Sequence, residues 1–225
     1  MASSFILTLD TVAPLNPSIT FPAGSHTPVQ LVNVDISNDD PTVTNYEMKI
    51  WGDVDLTYDG DVQDSEINSS WIPYNIVKQI KLASGQGLKT VYLKLRDDVY
   101  NETTQVFDTI TYDTTIPIVD IVTGPDVTRI SKVVGKNACN FSFEAVEIFI
   151  EYKVKVVPNS ASIHTEGTTI DITNGSSNMS GTGVFPSVTP IDSEIIGDDL
   201  EVASPGDGSK VVKVFVKDQA GNWST

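Results

Sequence analysis

Sulfur and imidazole chemistry are nearly absent from this chain. One cysteine, Cys139, stands in 225 residues, which excludes an intrachain disulfide. The two histidines, His26 and His164, fall in polar stretches with no nucleophile motif beside them. No Gly-x-Ser-x-Gly, Cys–His or phosphate-loop pattern occurs either. The chemistry inventory therefore points away from an enzyme and offers no catalytic set or organic cofactor site. Bases are scarce too, 14 against 30 acids, for a formal charge of −16. Both halves share the deficit: residues 1–113 hold 16 acids and 6 bases, residues 114–225 hold 14 and 8. Nucleic-acid binding is not expected, because its affinity rests on Lys and Arg against phosphate. The acidity reads first as solubility and mutual repulsion, and second as room for a cation or a basic partner. No apolar run approaches the ~20 residues of a membrane helix, so no membrane partner is expected. The first ten residues lack the basic and long apolar regions of a secretory signal and run straight into a strand pattern. Synthesis and folding in a cytoplasm are the expectation.

What the chain does have is a repeat. Leu88-Lys89-Thr90-Val91-Tyr92-Leu93-Lys94-Leu95-Arg96-Asp97 returns as Ser209-Lys210-Val211-Val212-Lys213-Val214-Phe215-Val216-Lys217-Asp218. In each copy an Asn follows four residues after the Asp, as Asn101 and Asn222. Asp10-Thr11-Val12-Ala13-Pro14 pairs with Asp113-Thr114-Thr115-Ile116-Pro117, and Tyr46-Glu47-Met48-Lys49-Ile50 with Tyr152-Lys153-Val154-Lys155-Val156. Three matched pairs in one order mark two copies of a module. The offsets grow from 103 to 106 to 121 residues, so the second copy carries extra chain, mostly after Val157. The expected domains are 1–113 and 114–225, the second with a long insertion at about 158–208.

Periodicity supplies the fold class. Val91, Leu93 and Leu95 alternate with Tyr92, Lys94 and Arg96; Val212, Val214 and Val216 alternate with Lys213, Phe215 and Lys217. One apolar and one wet face describe antiparallel strands on a sandwich. The expectation is all-β, two tandem antiparallel sandwiches, with 12 prolines and 15 glycines punctuating short strands. Tyr74–Leu82 is the best helical candidate, and Phe143–Tyr152 reads either way. Cys139 alternates with Phe141 and Phe143, which places it in a strand core. The insertion, rich in Ser, Thr, Gly and Asn, reads as a long loop with one or two hairpins, and Asn174-Gly175 as a tight turn.

One local pattern points to a metal. From Asp53 to Glu66 there are six acids and no base. Asp55, Thr57, Asp59, Gly60 and Glu66 match the spacing of a calcium loop of the EF-hand type, which places oxygens at positions 1, 3, 5 and 12 and Gly at 6. Thr57 departs from the pattern and strand-like flanks replace the helices, so a solvated acidic loop competes with calcium binding through Asp55, Asp59 and Glu66. Trp51, Trp71 and Trp223 offer aromatic faces to a sugar, or else cover the cores. Asp97 with Asn101 and Asp218 with Asn222 read as turns, since both side chains bond their own backbone.

Leu9-Asp10-Thr11-Val12-Ala13-Pro14 and Val216-Lys217-Asp218-Gln219-Ala220-Gly221-Asn222-Trp223-Ser224 resemble the opening and closing phrases of bacterial Ig-like modules. Those modules commonly open Leu-Asp-Thr-x-x-Pro and close Val-x-Asp-x-x-Gly-Asn-x-Ser. The first copy departs at its close, with Val99-Tyr100-Asn101-Glu102, so a different turn is expected there. The resemblance implies Ig-like folds in both halves. Such modules occur in secreted adhesins and enzymes and on virion proteins of tailed bacteriophages. This chain starts just before its first module, stops on the closing phrase of its second, and shows no signal peptide or anchor. It is therefore similar to free-standing structural or decorating proteins of phage particles, on tail, neck or capsid surface, made in the host cytoplasm. The partners this implies are other virion proteins in a symmetric assembly, with a host-surface glycan as the alternative for an adhesin or carbohydrate-binding module.

Overall fold

The computed structural model describes residues 3–41, 43–158, 160 and 163–225. The chain divides into two compact units, Met1–Asp113 and Thr114–Thr225.

Unit 1 contains β1 (Ser18–Thr20), β2 (His26–Thr27), β3 (Leu31–Ser37), β4 (Glu47–Gly52), β5 (Ile72–Pro73), β6 (Val77–Lys81), β7 (Gly87–Arg96) and β8 (Val106–Tyr112). They form two sheets, β1-β3-β6 and β2-β8-β7-β4-β5. All of these pairings are antiparallel except β2 with β8. The alternation seen in the sequence is the packing. Val32, Val34 and Ile36 of β3 face Ile50 of β4 and Val91, Leu93 and Leu95 of β7 in one buried cluster, closed by Ile110 of β8. Each such side chain contributes about 1.5–3 kcal/mol by leaving water.

Unit 2 repeats the plan with β9 (Val119–Thr123), β10 (Ala138–Ala145), β11 (Phe149–Val157), β12 (Thr168–Thr169), β13 (Ser180–Phe185), β14 (Ile191–Ile196), α1 (Gly197–Ala203) and β15 (Val211–Asp218). One sheet is β14-β10-β9; in the other, β11 pairs β12 and β13 on one side and β15 on the other. Phe141 and Phe143 of the first sheet pack against Tyr152, Val154 and Val216 of the second. The chain is thus all-β apart from α1: two Ig-like antiparallel sandwiches in tandem. Among the described residues, no helix is long and apolar enough to cross a membrane.

Several expectations are corrected. Tyr74–Leu82 is not helical: β6 runs through it and pairs with β3, burying Ile80. Pairing with β3 satisfies its backbone, and that long-range choice outweighs a weak helical pattern. Phe143–Tyr152 is the end of β10, a bend, and the start of β11. The stretch 158–208 is more than a loop: β13 and β14 are sheet members, and α1 follows β14 directly. Cys139 lies at the margin of the core, half-buried, with Sγ 3.6 Å from the Val127 carbonyl oxygen. Nor is the outer face of β11 and β15 wet throughout. Phe215, Val157 and Lys155 are buried there because the chain after β11 folds back over them.

The largest departure is at the amino end. Ser3–Leu9 has strand-like sequence but joins no sheet, leaving Phe5, Ile6, Leu7 and Leu9 exposed.

Candidate functional site

The acidic loop Asp53–Glu66 follows β4, and its carboxylates pair with lysines of the neighbouring strands. Asp55 pairs with Lys81 of β6 at 2.7 Å, Asp59 with Lys78 of β6 at 2.6 Å, and Glu66 with Lys94 of β7 at 2.6 Å. The Asp55 carboxylate also accepts from the Thr57 hydroxyl at 2.7 Å and amide at 3.0 Å. Lys81, and after it Thr57, hold the Asp55 carboxyl well below the usual carboxylate range. Burial pushes the Asp59 carboxyl up, but Lys78 and the Asp61 amide outweigh it and the net shift is down. The structure therefore does not bring Asp55, Asp59 and Glu66 together: their ligand oxygens do not gather within 4.8 Å of one another. Each pairs with a lysine, and Thr57 bonds Asp55.

The repeated Asp–Asn pairs make matching turns. Asp97 Oδ1 accepts from the amides of Val99 and Asn101, and Asp97 Oδ2 from Asn101 Nδ2. Asp218 Oδ1 accepts from Gly221 and Asn222, and Oδ2 from Asn222 Nδ2. The different turn expected in the first copy is not found. Tyr100 takes φ +66°, the left-handed region that Gly221 adopts at the equivalent place, and both turns close with the same backbone bond from the Asp amide to the Asn carbonyl.

The tryptophans are engaged with neighbours. Trp51 is buried and stacks on Tyr92 at 5.6 Å, and Tyr92 meets Phe107 at 5.7 Å across β4, β7 and β8. Trp71 lies against Lys49 and Arg96, with Arg96 4.4 Å from the ring and paired with Glu47 at 2.6 Å. Trp223 stacks on His164 at 4.2 Å and 9°, with Lys153 at 4.6 Å from its ring. Burial first, then Lys153 and Lys155, keep His164 below its ordinary pKa, so the neutral ring stacks at pH 7. A sugar needs an open ring face, and the buried Trp51 offers none. Among the described residues, the His26 ring bonds its neighbour Ser25 at 2.9 Å.

Sequence reasoning missed one buried carboxylate. Asp199 of α1 is fully buried and accepts from the Asn174 amide and Nδ2, each at 2.9 Å, and from the Ser176 amide at 3.0 Å. Its one outward signal was Asp198-Asp199 beside the apolar Leu200, at the start of a short helix. Unit 2 also holds an open groove of about 620 Å³ beyond the end of β9 and alongside β10 and β14, lined by Asp126, Asn140, Ser177, Asp192, Ser193 and Glu194. Asn140 is pinned there by Asp126 through its amide and its side chain, both at 2.8 Å.

No protein-family model and no curated protein matches the chain. Solved structures do. Fibronectin(III)-like modules of Clostridium thermocellum CbhA align with 12% identity and a TM-score of 0.45, covering 92% of this chain and 90% of theirs. The D00-D0 domain of intimin gives 12% identity and a TM-score of 0.28 over 89% of this chain and 98% of that one. Chitinase ChiA74 from Bacillus thuringiensis gives 11% and 0.30, with this chain spanning 30% of its length. At these TM-scores the likeness carries no activity with it.

Proposed function

We propose that this chain is a non-enzymatic structural or decorating protein of a bacteriophage virion, docking to other virion proteins through sandwich edges and ends. The observation that carries the docking part is where apolar surface remains. The acidic-loop pairs, the Asp–Asn turns and the tryptophan stacks are closed on themselves, while Phe5, Ile6, Leu7, Leu9, Val133 and Val134 stand exposed on segments that join no sheet. Contiguous exposed apolar chain marks a contact surface. Repeated copies on a symmetric shell or tube turn modest contacts into firm attachment, and the net charge of −16 keeps particles apart.

Peptide mass spectrometry with copy number, on virus-like particles purified from the source culture, tests this. Recovery at about tens to hundreds of copies per particle supports the reading through its symmetry. Absence from particles, with the chain on cells or in the medium, overturns it.

The groove of unit 2 favours a second reading, a glycan-binding or adhesin module, because its carboxylates and hydroxyls suit sugar hydroxyls. Glycan-array binding lost on Asp192→Asn would move that reading to the front.

A further inference from the structure

The first module departs from the second in one turn. Both turns hang on the same Asp–Asn bond, and unit 2 fills the left-handed position with Gly221. Unit 1 puts Tyr100 there at φ +66°, a conformation that strains a bulky side chain and costs glycine nothing. The turn itself has no use for the ring, since Gly221 closes it equally well. Asp98, two residues earlier, likewise stands where the second copy has Gln219.

The ring is held in place from behind. Tyr100 has the Arg96 guanidinium over its face at 4.4 Å. Arg96 is itself fixed by Trp71 at 4.4 Å and by the Glu47 carboxylate at 2.6 Å. Tyr100 is nonetheless 67% exposed, so its other face is open. Beside it lies a pocket of about 450 Å³, lined by Asn45, Tyr46, Glu47, Pro73, Asp98 and Tyr100. That volume falls within the roughly 300–1,000 Å³ of small-molecule sites.

The pocket also holds unspent polar groups. The Asn45 side chain and the Asp98 carboxylate bond nothing among the described residues. Tyr46 donates to Asp40 at 3.1 Å, and burial first, then Asp40, push its hydroxyl up to about 12. An aromatic face with a rigid backing thus meets free acceptors and donors. A sugar ring needs that combination: its C–H face stacks on the aromatic, and its hydroxyls bond carboxylates and amides. Charge narrows the class. Glu47 and Asp98 line the pocket, and Asp40 and Asp97 act on Tyr46 from nearby, so acidic sugars are repelled. A cationic group fits less well, because Arg96 already occupies one face of Tyr100 and neutralises Glu47.

We propose that the Tyr100 pocket of unit 1 binds a short neutral glycan, its ring stacked on Tyr100 and its hydroxyls held by Asp98, Glu47 and Asn45. The site belongs to unit 1 alone, since Gly221 and Gln219 replace Tyr100 and Asp98 in unit 2. It goes beyond the virion reading. Particle mass spectrometry tests where the chain resides, whereas this site stands or falls on binding by the purified protein.

The full chain is screened on an array of neutral and acidic oligosaccharides, with an oligolysine peptide alongside, and the Kd of the strongest neutral glycan is measured by calorimetry. Binding confined to neutral glycans is expected. Tyr100→Gly removes the ring but keeps the turn as Gly221 does. It is expected to weaken binding by about tenfold or more, while the melting temperature falls by no more than about 2 °C. Tyr100→Phe keeps the stacking face and stays within about threefold of the parent. Asp192→Asn, in the groove of unit 2, leaves binding unchanged. Failure to bind any neutral glycan overturns the proposal, as does binding that survives Tyr100→Gly or a preference for acidic glycans or oligolysine. Binding lost on Asp192→Asn but kept in Tyr100→Gly also overturns it, and leaves the glycan reading of unit 2 standing.

Discussion

Asn101 Nδ2 donates to Asp97 Oδ2 at 2.7 Å, and the same bond recurs between Asn222 and Asp218 at 2.8 Å. Both carboxylates are 2% exposed and both also accept two backbone amides. Removing either carboxylate strands those donors. Asp97→Ala and Asp218→Ala are each expected to cost their own unit about 2–4 kcal/mol, lowering its melting temperature by roughly 8 °C or more. Differential scanning calorimetry reads this; a change under about 2 °C would show that the turns are only local decoration.

Asp199 makes unit 2 acid-sensitive. Burial pushes its carboxyl up, but the donors from Ser176 and Asn174 outweigh that and hold it below the ordinary carboxylate value. Its folded pKa is therefore lower than its unfolded one. The stabilisation is complete above the unfolded value, near pH 4, and is lost as pH falls through the lower folded value. Asp199→Asn is expected to be the less stable protein at pH 7, with the gap to the parent closing below about pH 4 in urea titrations. A gap that is constant with pH would remove the carboxylate from this role.

Gly52 sits at φ +128°, and a Cβ there would press on the Thr90 carbonyl. Gly52→Ala is expected to cost about 2–4 kcal/mol in denaturant unfolding, from backbone strain and the clash together. Gly60 has open space around its Cβ position, so Gly60→Ala should stay within about 0.5 kcal/mol. Equal effects would contradict the close approach of β4 and β7 at Gly52.

The lysines decide how the acidic loop responds to calcium. With Asp55, Asp59 and Glu66 each paired to Lys81, Lys78 and Lys94, millimolar calcium is expected to leave the melting temperature where EGTA leaves it. A rise of about 4 °C or more that disappears in Asp59→Asn would restore the calcium loop.

Strand positions were legible wherever burial alternates. Val91, Leu93 and Leu95 could be assigned to a core from sequence because period-two spacing is a local property. The spacing of the acidic loop shows which oxygens are near in sequence, whereas Lys78, Lys81 and Lys94 arrive from strands that pair only after folding. Asp199 was silent for the same reason: its donors at Asn174 and Ser176 lie more than twenty residues away.

By itself the sequence determined the two-module plan, the all-β class and the Asp–Asn turns, since repeats, alternation and short-range hydrogen bonds are written along the chain. Only the tertiary structure decided that Trp223 stacks on His164 and that Phe215 is covered on the outer face. Which strand lies beside which is set by burial and pairing summed over a whole sheet, and no local stretch of sequence contains that sum.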